Sequence, residues 1–198
     1  MSQFVESIKI NKGKIYNLKY HLQRMNNTCL MNYGKYLSPN LHSIIYKNIP
    51  KEETKMLKCR IVYDTEIRDI QFVEYQYRNI KSIKLVWDDN IVYDYKSVDR
   101  THLDNLYKLR EEHDEIIIVK NGLITDAYYF NIVLRYGNIL FTPEKPLLGG
   151  TMRRCLVGKR RIIPTEISVP VLMNCDNVYL INALNPLGKI VLTPEKLY

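Results

Sequence analysis

Apolar and polar residues alternate from Phe4 to Ile10, break at Asn11-Lys12-Gly13-Lys14 and resume at Ile15, which predicts a β-hairpin. Beyond Asn17 the period lengthens, and Leu18, His21, Leu22, Arg24 and Met25 predict an amphipathic helix. Ser38-Pro39 predicts the start of a second helix that runs to about Asn48 and stops at Pro50. Lys55 to Tyr63, Ile67 to Tyr77 and Ile80 to Val86 are rich in β-branched and aromatic residues and predict three strands. With the hairpin they form a predicted α+β unit over residues 1–87. Trp87-Asp88-Asp89-Asn90 is polar, and residues 88–95 serve as a candidate linker. In residues 96–198, a helix is predicted from Arg100 to Glu112, followed by a hairpin. Its strands are Asp114 to Val119 and Leu123 to Asp126, joined at Asn121-Gly122. A turn at Tyr136-Gly137-Asn138 follows, then a helix from Gly150-Thr151 through Val157 and a short helix from Glu166 to Asn174. The chain closes with a strand at Val178–Ile181, the polar run Asn182-Ala183-Leu184-Asn185-Pro186 and a last strand pair.

Composition narrows the class. The 198 residues suit one large domain or two small ones, and 46% hydrophobic with 25% charged residues reads as globular. No apolar run is long enough to span a bilayer, and the first residues carry no signal pattern, so a cytoplasmic protein without membrane association is expected. Cys29, Cys59, Cys155 and Cys175 show no Cys-x-x-Cys spacing, and the histidines form no pair, so no metal site is predicted. The net charge of +8 is spread along the chain, and its tyrosines do not interleave with basic residues as in RNA-binding signatures. Nucleic acid is therefore not an expected partner, whereas an anionic small molecule is compatible with the charge.

Candidate chemistry concentrates between Lys96 and Asn131. Lys96 precedes a helix, and Asp126 ends a hairpin 30 residues later. Taken alone, each reads as a surface lysine and a hairpin-end carboxylate. Taken together in one apolar pocket, both charges need partners. Pyridoxal phosphate asks for such a pair: an amine for a Schiff base and a carboxylate for its ring nitrogen. Glycines before the helix at Thr151 leave backbone N–H groups at the positive end of the helix dipole, a place that suits phosphate. No Walker lysine pattern and no Gly-x-Gly-x-x-Gly occurs, so nucleotide binding lacks support.

Lys96-Ser-Val-Asp-Arg-Thr-His-Leu-Asp-Asn-Leu, Asp114-Glu-Ile-Ile-Ile, Gly122-Leu-Ile-Thr-Asp126, Asn131, Thr142-Pro143, Gly150-Thr-Met-Arg153 and Asn182-Ala-Leu stand in an order that resembles the class IV aminotransferases, the fold-type IV pyridoxal phosphate enzymes. The likeness runs from Phe4 to about Val191. Lys-x-x-Asp-Arg, Gly-x-Met-Arg and Asn-Ala-Leu are most similar to the 4-amino-4-deoxychorismate lyase branch. The resemblance implies a two-domain, α+β, D-amino acid aminotransferase-like architecture, a homodimer, and a small amino-acid-like substrate. It also implies that a leading segment of about 25 residues, with the usual first strand, is missing here. Lys96 would be the catalytic Schiff-base lysine, able to act as a base when burial near cations keeps its amine neutral. Asp126 would hold the ring nitrogen, where the family usually has Glu. His21-Leu-Gln-Arg24 matches the family's His-x-x-Arg, so Arg24 would bind the phosphate rather than sit in solvent. Thr151, Met152, Asn182 and Ala183 would complete the phosphate site. Asn131 would lie beside the cofactor, with strand-end hydrogen bonding as its other reading. Asp99 and Arg100 would order the lysine loop, Arg60 is open between a structural and a ligand role, and Tyr95 is better placed in the core. Three functions remain open. The lyase of folate biosynthesis gives 4-aminobenzoate and pyruvate, and Glu6, where that branch often has Thr, speaks for a class IV amino-acid aminotransferase. The third is a non-catalytic relic of the fold.

Overall fold

The computed structural model describes residues 2–37, 39–50 and 55–198. It comprises two compact units. The first holds Met1–Tyr77 together with Tyr95–Asp99, and the second holds Arg78–Asp94 together with Arg100–Tyr198.

In the first unit, β1 (Phe4–Asn11), β2 (Lys14–Ile15), β3 (Leu57–Tyr63) and β4 (Ile67–Glu74) form an antiparallel sheet ordered β2-β1-β3-β4. Lys12 and Gly13 close the first hairpin with positive φ, as its Asn-Lys-Gly-Lys run predicts. One face of the sheet carries Phe4, Ile8, Ile10, Leu57, Cys59 and Ile61. Against it pack α1 (Leu18–Tyr33), through Met25 and Cys29, and α2 (Leu41–Asn48), through Leu41 and Ile45. Each side chain buried there contributes about 1.5–3 kcal/mol. The second helix begins later than its Ser38-Pro39 signal suggests. Ser38 lies outside the described residues, and Asn40 is the cap, its side chain accepting the Ser43 N–H at 3.1 Å. Tyr95 joins this core in edge contact with Phe4, as expected of it.

The second unit is built on a longer sheet, β10-β9-β8-β7-β6-β5 in order, with β11 beside β8 and β12 beside β11. Its strands are β5 (Ile83–Trp87), β6 (Glu115–Lys120), β7 (Leu123–Ala127), β8 (Asn131–Tyr136), β9 (Ile139–Pro143), β10 (Ile163–Thr165), β11 (Asn177–Ile181) and β12 (Val191–Leu192). The β5–β6 and β9–β10 pairs are parallel and the others antiparallel. The helices are α3 (Thr101–Lys108), α4 (Thr151–Gly158) and α5 (Val169–Met173). Both α3 and α5 are shorter than their predicted spans. α3 ends at Lys108 with Leu109 as its C-cap, and Glu111, with φ 55°, lies in a left-handed conformation that a helix reaching Glu112 excludes.

Three expectations about organisation are corrected. The strand predicted at Ile80–Val86 does not join the N-terminal sheet, because its partner is β6, in parallel register Ile83↔Glu115 to Trp87↔Val119. The supposed linker at Trp87–Asn90 is part of the second unit as well. Asp88 pairs with His102 at 2.6 Å, and Asp89 accepts the Asn121 N–H at 2.6 Å. The segment 95–99, expected in the C-terminal domain, returns to the first unit. Ser97 bridges Phe4, the Lys96 carbonyl accepts the Val5 N–H at 2.9 Å, and Val98 N–H donates to the Gln3 carbonyl at 2.9 Å.

Candidate active site

In the first unit the candidate lysine is tied to the start of β1. One residue beyond Val5, Glu6 shares the phase of Phe4, Ile8 and Ile10, so an acid stands where an apolar side chain would pack. Its exposure is 0%. The helix facing it supplies partners at i and i+3 spacing. Arg24 donates from Nε to Glu6 Oε1 at 2.7 Å and from Nη2 to Oε2 at 2.6 Å, and His21 Nδ1 lies 2.6 Å from Oε2. Burial pushes the Glu6 carboxyl up, but the charge and hydrogen bonds of Arg24, with those of His21, hold it down at about 2. His21 is shifted below its usual value, chiefly by burial, with Glu6 opposing and Arg24 and Lys96 assisting. The ring is thus neutral near pH 7 and donates Nδ1–H to Glu6, and Arg24 is the counter-ion. Arg24 itself is 6% exposed, which rules out the solvent-facing reading. Two of its three nitrogens are committed to Glu6. Lys96 is half-buried, and its charge reaches His21.

The second unit gathers Asp126, Asn131 and the loop before α4. Asp126, at the end of β7, faces Asn131, at the start of β8, in register. Asn131 Nδ2 donates to Asp126 Oδ1 at 2.7 Å and to the Leu148 carbonyl at 2.9 Å, while Leu148 N–H donates to Asp126 Oδ2 at 2.8 Å. The carboxyl is buried. Burial pushes it up to about 7, against the hydrogen bonds of Leu148 and Asn131 and the charge of Arg153. The hydrogen-bond donors to Asp126, the backbone N–H groups of Leu148 and Leu147 and the Asn131 side chain, are all neutral amides, so its anionic form is poorly compensated. Asn131 follows its strand-end reading, and in doing so orients Asp126. A Cβ on Gly150 would meet Asn131 Oδ1 at 1.8 Å, so only glycine lets the loop pass this close.

Gly150 is the N-cap of α4 and brings no side-chain cap to the helix; Thr151 is buried and Met152 half-buried. Arg153, quoted in the motif but given no role from sequence, braces β9: its Nη2 donates to the Pro143 carbonyl at 2.7 Å and its Nε to Thr142 Oγ1 at 3.3 Å. Asn182 folds its own turn. Its Oδ1 accepts the N–H groups of Leu184 and Asn185, both at 2.9 Å, and its Nδ2 donates to the Tyr129 carbonyl at 3.1 Å. Arg100 donates to the Tyr128 carbonyl at 2.8 Å and packs over the Tyr128 ring at 4.3 Å.

Sequence reasoning missed the pairing of Glu6 with Arg24. Its signal was present: an acid at an inward phase of a strand, with His and Arg one helical turn apart in the next element.

A family model, amino-transferase class IV, matches residues 3–192. An uncharacterized protein of Haemophilus influenzae is 35% identical over 189 residues, which are 94% of this chain and all of that protein. A crystal structure from Haemophilus somnus 129pt, provisionally named a 4-amino-4-deoxychorismate lyase, is 37% identical with a TM-score of 0.87, covering 94% of this chain and 98% of that one. A hypothetical aminotransferase from Mycobacterium tuberculosis, in its pyridoxal-phosphate-bound form, shares the fold at 15% identity and a TM-score of 0.80, over all of this chain and 83% of that one. The chain belongs to the class IV aminotransferase family.

Proposed function

We propose that the chain is a pyridoxal-phosphate enzyme of the aminodeoxychorismate lyase type, releasing pyruvate and 4-aminobenzoate from 4-amino-4-deoxychorismate. The observation that supports the cofactor in this reading is the state of Asp126. Among the described residues this buried carboxylate, pushed up to about 7, is hydrogen-bonded by neutral amides and by no cationic N–H donor, and a protonated pyridine nitrogen is such a donor. The glycine-only passage at Gly150, leading into the amides of α4, fits a flat ring that ends in a phosphate. The residues present therefore fit the group.

When bound, pyridoxal phosphate supplies an aldehyde for an amine and an electron sink for the carbon next to it. Lys96 would supply the resident amine and then take the proton from the amino-bearing carbon of the substrate. Asp126, held by Asn131 and Leu148, would remain ionised and keep the ring nitrogen protonated. The first-turn N–H groups at Thr151 and Met152 would take the phosphate, with Arg24 adding its charge in a position set by Glu6. Asn182 spends its side chain on its own turn, so a contribution from that turn would come through the backbone at Ala183.

An aromatising elimination needs a base and a sink but no second keto acid. Transamination uses the same parts, and an amino-acid aminotransferase is the second reading. Glu6 no longer favours it, since Glu6 is occupied by Arg24 and His21. The relative at 37% identity supports the lyase. The test is release of 4-aminobenzoate from 4-amino-4-deoxychorismate with no keto acid added. Turnover that requires keto acid and yields no aromatic product would establish the aminotransferase. A purified protein that takes up no cofactor would return the relic.

A further inference from the structure

The chain enters the second unit twice, at Arg78 and at Arg100. Both first residues are arginines, and both guanidiniums lie over the ring of Tyr129, at 5.4 and 4.7 Å from its centroid. Tyr129 stands in the turn between β7 and β8, which separates Asp126 from Asn131 in the chain. Among the described residues these strands share the single register pair Asp126↔Asn131. The turn therefore weighs more than the ladder in setting how the two side chains meet.

Ala127 N–H closes that turn by donating to the Phe130 carbonyl at 2.8 Å, and Phe130 is buried in the core. The Tyr128 ring stacks on Tyr107 with centroids 4.1 Å apart, and its hydroxyl donates to Asp104 Oδ1 at 2.5 Å. Arg78 spends its donors on the scaffold, Nη1 on Glu115 at 3.0 Å and Nη2 on the Tyr107 hydroxyl at 2.7 Å. Arg100 is used differently. Its Nη2 donates to the Tyr128 carbonyl at 2.8 Å, and its guanidinium lies 4.3 Å from the centroid of Tyr128 as well as over Tyr129. Its buried Nε stands 4.0 Å from Asp104 Oδ1 and makes no hydrogen bond among the described residues. A buried N–H left unmade is costly. A side chain kept there in spite of that cost is placed for its cationic plane over the two rings of the turn, which a lysine could not supply.

We propose that Arg100 is a positioning residue for Asp126: by holding the Tyr128–Tyr129 turn it keeps the carboxyl in register with Asn131 and with the Leu148 N–H. The hold on Asp126 is built from contacts within the second unit. Its consequence for the cofactor rests on the proposed reading of Asp126 as the acid that faces the ring nitrogen.

The test is amide hydrogen exchange of the cofactor-free protein, resolved by NMR, with the affinity for pyridoxal phosphate measured alongside by absorbance titration. In Arg100→Met the N–H groups of Ala127 and Leu148 exchange about tenfold faster, while those of Leu85 and Leu180, which donate to the Tyr198 and Ile190 carbonyls, keep their rates. Tyr129→Leu, a change at an exposed ring, speeds the same two amides about threefold. Arg100→Lys recovers little of the protection, because an ammonium has neither the fork nor the plane. Cofactor affinity falls by about the same factor as protection in each variant. Rates at Ala127 and Leu148 that stay at the wild-type value, or rise only as much as those of Leu85 and Leu180, overturn the positioning role. If Arg100→Met does not fold, Tyr129→Leu decides by the same two rates. If the two rates rise while cofactor affinity is unchanged, the reading of Asp126 as the ring-nitrogen acid falls and the positioning role stands.

Discussion

Asp126 decides more than any other residue. An acid whose folded pKa lies above its unfolded value keeps extra protons in the folded state, so stability falls as pH rises between the two values. For Asp126 that window runs from its ordinary value of 3.8 to about 7. Glu115, buried beside Arg78 and also pushed up to about 7 by burial, adds a loss of the same sign. The cofactor-free protein should therefore lose stability on the order of a few kcal/mol between about pH 4 and pH 7. Urea unfolding across this range should show a shallower loss for Asp126→Asn, and added cofactor should flatten the wild-type curve by holding the carboxylate ionised. Equal slopes for wild type and variant would remove Asp126 as the cause. Gly150 gives a second test. With Asn131 Oδ1 at 1.8 Å from the new Cβ, Gly150→Ala should cost about 1–3 kcal/mol, and the Gly150→Ala/Asn131→Ala pair should cost less than the sum of its parts.

At the scale of elements, β1 and α1 are locked by an ion pair rather than by apolar packing alone. Glu6 has 0% exposure, and removing its partner leaves an uncompensated buried charge. Arg24→Ala should therefore cost about 3–5 kcal/mol in urea unfolding, and Arg24→Lys should recover little, because one ammonium cannot replace a two-bond fork. A cost under about 1 kcal/mol would show the pair to be dispensable. Cofactor affinity of Arg24 variants then has meaning only where the protein is folded. The hairpins at Lys12-Gly13 and Asn121-Gly122 were legible in the sequence because their turn residues demand positive φ, which both turns adopt. The sheet to which β5 belongs was not legible. Its residues look like those of β3 and β4, and its parallel partner arrives only after α3, so nothing local distinguishes the two sheets. β10 was missed because three residues with a central proline give no strand period, and its place at a sheet edge is what tolerates that proline. Of the candidate site, Asp126 and Asn131 were legible as strand-end residues, but their mutual hydrogen bond depends on a register that motif spacing alone did not supply.

At the scale of the whole molecule, the residues proposed for the chemistry are distributed over both units. The first holds the candidate amine and a buried Glu6–Arg24 pair; the second holds an under-compensated acid, a glycine passage and the amides of α4. The account stands or falls on whether Lys96 is the amine that condenses with the cofactor. The direct measurement is borohydride reduction of the protein loaded with pyridoxal phosphate, followed by peptide mass mapping. The account predicts one label, on Lys96, absent from Lys96→Ala and weak in Asp126→Asn. A label on another lysine of the folded wild type, or none at saturating cofactor, would contradict it.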